Sequence, residues 1–183
     1  HYNTSITGNT FVNFSSTVVN LANIADDGTN AATVDISSNN IGTSADAINI
    51  DSSGYTSSIG STVDISDNPD ITVTGGGDGI EFTDADDNAT VSNNVIDISG
   101  GADAIDLDGA STLNITVDGD EIEGDGAGIG VTTTSINAEV TDLSINNTNT
   151  GVDVQGGDQF VNVTGGTYTN ISGNAVNVAG SVG

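Results

Sequence analysis

Apolar residues in this chain fall in short alternating pairs, each split by one residue: Val19/Leu21, Ile48/Ile50, Ile80/Phe82, Ile105/Leu107, Ile129/Val131, Val152/Val154 and Val176/Val178. Alternation sends neighbouring side chains to opposite faces, so each pair predicts a short strand with two residues inside and one outside. The middle residue is Asn20, Asn49, Glu81, Asp106, Gly130, Asp153 or Asn177, which suits a position facing water. Just before each pair stand Val18, Ala47, Gly79, Ala104, Gly128, Gly151 and Ala175, and small residues there predict a corner with little room for a side chain. Nothing repeats at i, i+3, i+4 and i+7 over a useful window, so no helix is predicted.

Counted from Val19, the pairs recur at steps of 29, 32, 25, 24, 23 and 24 residues. A second alternating stretch lies earlier in most units: "TVDIS" at 33–37 and 62–66, "ATVSN" at 89–93, "NITVD" at 114–118 and "VNVTG" at 161–165. An Asn- or Gly-rich corner then leads to further apolar positions, namely Ile41, Ile71 with Val73, Ile96 with Ile98, and Ile122. Three short strands and three corners describe one coil of a parallel β-solenoid. One coil cannot bury its own inward face, so coils must stack to make a core. The prediction is an all-β fold, one solenoid domain over 1–183 of about seven coils, roughly 34 Å long at the spacing of paired strands.

The pattern visible as "VDISSNNI…AINI" and "VSNNVIDI…AIDL" resembles the right-handed parallel β-helix repeat of the pectate-lyase-like superfamily. The resemblance runs over nearly the whole chain and implies a right-handed coil. It implies little about activity, because that coil carries lyases, hydrolases, tailspikes, adhesins and surface proteins. Lyases of this fold use an Arg or Lys base, and the chain has no Lys or Arg at all. Hydrolases of the fold use clustered carboxylates, for which Asp78 with Glu81 or Asp103 with Asp106 are candidates; those positions recur from coil to coil rather than forming one constellation. The non-catalytic surface, adhesin and filament members are the better match, and no enzyme is expected.

Charge narrows the field further. With 26 acids, no Lys or Arg and a single His, the formal net charge is −26. Nucleic acid is an excluded partner, since its affinity comes from basic groups neutralising phosphates. Membrane insertion is excluded too, because no apolar run approaches the roughly 18 residues of a spanning helix. Such self-repulsion calls for a cation-rich medium. The absence of Cys removes disulfides from the account, and Ser/His/Asp or Cys/His catalysis has no residues to build on, His1 being terminal.

Calcium takes six to eight oxygens from carboxylates, amides and backbone, and the corners offer all three. The densest acid cluster is "DADDN" at 84–88, giving Asp84, Asp86 and Asp87 as candidate ligands, with Asp26 and Asp27 in the equivalent loop. The next is "DGDEIEGDG" at 118–126, giving Asp118, Asp120 and Asp125. Asp46, Asp78 and Asp103 stand two positions before the pair in successive coils, where they would stack. Carboxylates about 4.8 Å apart repel by roughly 0.9 kcal/mol even in water, and a structural calcium would relieve that.

Sequons occur at Asn3, Asn13, Asn88, Asn114, Asn146, Asn162 and Asn170, as an Asn- and Thr-rich chain gives in part by chance, and they add a glycoprotein to the expectations. The first coil, "ITGNTFVNFSSTVVNLA" at 6–22, matches the last, "VTGGTYTNISGNAVNVA" at 163–179, at an offset of 157 residues (163 − 6). That offset predicts a segment or repeat of a longer rod, with uncapped ends and end-to-end self-association. The expectation is a non-enzymatic extracellular or cell-surface rod serving a filament, stalk or adhesin shaft. The alternative is a carbohydrate-binding or carbohydrate-active β-helix fragment, with glycans as partners.

Overall fold

The computed structural model describes residues 3–22, 32–51, 62–83, 88–107, 114–134, 137–157 and 160–179. They form seven coils of three strands each. The first coil is β1 (Asn3–Thr7), β2 (Thr10–Phe14) and β3 (Val19–Ala22). The second is β4 (Thr33–Ser37), β5 (Asn40–Thr43) and β6 (Ile48–Asp51), and the third β7 (Thr62–Ser66), β8 (Asp70–Val73) and β9 (Ile80–Thr83). The fourth is β10 (Asn88–Ser92), β11 (Val95–Ile98) and β12 (Asp103–Leu107), and the fifth β13 (Asn114–Asp118), β14 (Glu121–Glu123) and β15 (Ile129–Thr133). The sixth is β16 (Asn137–Thr141), β17 (Ser144–Asn146) and β18 (Thr150–Val154), and the seventh β19 (Phe160–Thr164), β20 (Thr167–Thr169) and β21 (Val176–Val178).

Corresponding strands of successive coils pair in parallel, giving three seven-stranded sheets, β1 to β19, β2 to β20 and β3 to β21. Register explains why Ile and Val recur. In the first sheet Ile6, Ile36, Ile65, Val91, Val117, Val140 and Val163 stack into one column. In the second the column is Phe11, Ile41, Ile71, Ile96, Ile122, Ile145 and Tyr168. Branched side chains pack well on a pleated surface buried from within, and Ile36, Ile65, Ile71, Ile96 and Phe82 are fully enclosed.

The third sheet corrects one expectation. Its column is Val19, Ile48, Ile80, Ile105, Val131, Val152 and Val176, so the fifth coil presents Val131 and Thr133 inward rather than Ile129 and Val131. Ile129 pairs instead with Asp103 and Thr150. A buried Thr133 occupies the second inward place, so hydrophobicity alone pointed two residues early. The small corner residue is accordingly Gly130, where a Cβ would lie 2.5 Å from the Gly151 carbonyl oxygen. Gly79 meets the same limit, with the Ala104 carbonyl oxygen 2.5 Å from a Cβ.

The first corner of every coil turns on a left-handed residue: Gly8, Ser38, Asp67, Asn93, Gly119, Asp142 and Gly165, with φ between 51° and 70°. Asn, Asp and Gly reach this region at least penalty, which is the physical reason the corners read as Asn- and Gly-rich.

Candidate functional site

Asp46, Asp78 and Asp103 each precede the small corner residue at the entry to the third sheet. Because successive coils are in register, the Asp46 and Asp78 carboxylates each meet the backbone of the next coil. Asp46 Oδ1 accepts the Asp78 N–H at 3.1 Å, and Asp78 Oδ1 accepts the Asp103 N–H at 2.9 Å. Hydroxyls flank the ladder, Thr17 donating to Asp46 Oδ2 at 3.0 Å and Thr132 to Asp103 Oδ2 at 2.6 Å.

Glu81 projects from the water-facing position of β9, and its carboxylate joins those of Asp46 and Asp78, with one oxygen from each residue all within 4.8 Å of one another. Glu81 also accepts a hydrogen bond from Asn49 Nδ2, whose companion Oδ1 is buried without a partner. Desolvation pushes the Asp78 carboxyl up to about 6, against the lowering by the Asp103 N–H; repulsion from Asp103, Glu81 and Asp46 adds to the rise. With no Lys or Arg in the chain, no side-chain ammonium or guanidinium can neutralise this trio. The three carboxylates offer hard oxygens, the donor type that calcium and magnesium take.

The row of Asp46 and Asp78 was legible in the spacing, as was Glu81 three residues after Asp78; that Glu81 also reaches Asp46 was not, because that approach crosses from the third coil to the second. Asp84, Asp86 and Asp87, like Asp26 and Asp27, lie outside the described residues. The structure does not bring Asp118, Asp120 and Asp125 together. Asp118 ends β13 and accepts the Thr141 hydroxyl. Asp125 is exposed, and hydrogen bonds from the Gly100 and Ala127 N–H groups hold its carboxyl below the usual range. Asp120 points inside the first corner and has no exposed surface, so it is not a surface ligand.

Two open grooves mark the outer faces. One, of about 390 Å³, runs past Asn88, Asn114, Asn137 and Phe160; the other, of about 590 Å³, past Val12, Phe14, Gly42 and Thr72. Among the described residues Glu139 lines the first and Asp70 the second. No protein-family model, curated protein or solved structure matches this chain.

Proposed function

We propose that this chain is a non-enzymatic structural rod, a segment of an extracellular filament, stalk or adhesin shaft that extends by adding coils end to end and is stabilised by cations. The observation that carries this reading is the 157-residue offset, which holds strand by strand. β1, β2 and β3 begin at residues 3, 10 and 19, and β19, β20 and β21 begin at 160, 167 and 176. The seventh coil therefore repeats the first in strand placement as well as in sequence, as a tandem rod would require. The strands of both coils pair on one side only among the described residues, leaving ladder groups able to accept another coil.

Cations enter the reading through charge. A net charge of −26 concentrated on a narrow stack favours dissociation of coils unless counterions bind. The trio of Asp46, Asp78 and Glu81 is where one would sit, and turning the Asn49 amide would give its oxygen to the cation in place of the bond to Glu81. Negative-stain microscopy of the chain in calcium and in chelator tests the proposal. Rods of constant width that lengthen in calcium and shorten in chelator are expected, with Asp78→Asn weakening the calcium effect. Isolated particles of a few nanometres, indifferent to chelator, would sink the filament reading.

A second reading rests on one observation: Asp78, raised toward neutrality beside Glu81, has the relationship of a general acid to its partner carboxylate. Release of reducing sugar from polysaccharide by the wild-type chain, abolished in Asp78→Asn, would favour a carbohydrate-active fragment.

A further inference from the structure

The first corner holds a second ladder, buried inside the rod from Asn39 to Asp120. Asn9, Asn39, Asn68 and Asn94 follow the left-handed residues of successive coils, and the fifth coil places Asp120 in that row. Each Asn donates both its backbone N–H and its Nδ2 to the Oδ1 above: Asn9 to Asn39, Asn39 to Asn68, and Asn68 to Asn94, at 2.8–3.1 Å. The remaining Nδ2 hydrogen reaches a carbonyl one coil below, Ile6 for Asn39, Ile36 for Asn68 and Ile65 for Asn94. Nothing polar in the amides of Asn39, Asn68 and Asn94 is left over.

At Asp120 the row changes chemistry. Asn94 donates to Asp120 Oδ1 through its backbone at 2.8 Å and through Nδ2 at 2.9 Å, as to any earlier member. Above Asp120 stands Leu143, which has no side-chain acceptor, so the ladder stops there. Asp120 Oδ2 is buried with no partner. In the register, Val91 holds the place that Ile6, Ile36 and Ile65 hold for the earlier asparagines. An ionised carboxylate would turn a charged oxygen toward that carbonyl with no donor between them; a neutral acid would supply the missing hydrogen.

We propose that Asp120 keeps its proton inside the stack, its hydroxyl donating to the Val91 carbonyl where an asparagine amide would have done so, and that loss of this proton loosens the fifth coil from the fourth. The device is a proton-sensitive latch in the rod. Burial pushes the carboxyl up to about 7, opposed by the two hydrogen bonds from Asn94 and assisted by repulsion from Asp118. Ionisable groups on the surrounding elements are Asp118 on β13, Glu121 and Glu123 on β14, Asp97 on β11, Glu139 on β16 and Asp142 in the next corner. All are acids, so each favours the neutral form when ionised.

A carboxyl that titrates higher folded than unfolded holds its proton longer in the fold, so ΔG of unfolding falls as pH rises. The contribution is complete below the ordinary 3.8 and is lost as pH rises through about 7. Two measurements test the latch. Carboxyl-carbon NMR of the wild-type chain is expected to show Asp120 titrating well above the exposed acids; titration in the ordinary carboxylate range would overturn the proposal. Thermal unfolding at pH 5 and pH 8 is expected to show a loss of about 5 °C in the wild type, reduced in Asp120→Asn and in the double variant Asp120→Asn/Leu143→Asn, which continues the ladder. An undiminished loss in a folded Asp120→Asn chain would also overturn it, and if neither variant folds the wild-type titration alone decides.

Discussion

Asn68 shows what holds a coil to its neighbours at the scale of one residue. Its Oδ1 accepts the backbone N–H and the Nδ2 of Asn39, while its own Nδ2 donates to Asn94 Oδ1 and to the Ile36 carbonyl, and no part of it is exposed. Truncation to alanine removes all four bonds and strands buried donors on Asn39 and a buried acceptor on Ile36. Because an unsatisfied buried group costs more than a hydrogen bond contributes, Asn68→Ala is expected to destabilise by about 3 kcal/mol, read as a shift in urea midpoint. Asn9→Ala, at the exposed end of the same row, is expected to shift the midpoint far less. The ladder was within reach of the sequence, since Asn recurs two residues after the first strand at 9, 39, 68 and 94. An Asn-rich corner is also what ordinary turns show, however, and composition does not say that the amides face inward.

At the scale of elements, packing follows from the three inward columns. Phe82 on β9 is the largest fully buried side chain, set in a column otherwise made of aliphatic residues and Thr133. Phe82→Ala is expected to cost about 3–5 kcal/mol, while Val12→Ala on β2, where the side chain is 58 % exposed, is expected to change stability by less than about 0.5 kcal/mol; thermal unfolding of the two variants measures the contrast. The alternation that predicted the strands was readable wherever both inward residues were apolar, as in "TVDIS" for β4 and β7. It misplaced β15 because Thr133 sits at an inward position and Gly130 at the corner. The candidate cation site was legible to the same depth. Asp46 and Asp78 share one row of the repeat and Glu81 follows Asp78 three residues on, but Glu81 meets Asp46 only because the third coil stacks beside the second.

For the whole molecule, two properties bear on the proposed rod. Its three sheets run through seven coils, with one register irregularity between Phe11 and Phe14. The chain carries 26 acids and no Lys or Arg, so in the proposed rod screening or bound cations govern how readily another coil joins. Both support the growth along one axis proposed above, and the 157-residue offset is how a single polypeptide would achieve it. The most direct test is a chain in which residues 3–159 are written twice ahead of 160–183, with its length measured by small-angle scattering beside that of the present chain. The account predicts one continuous rod in which each sheet gains six strands, longer by roughly 29 Å at unchanged cross-section. Two compact lobes joined by a flexible segment would contradict it.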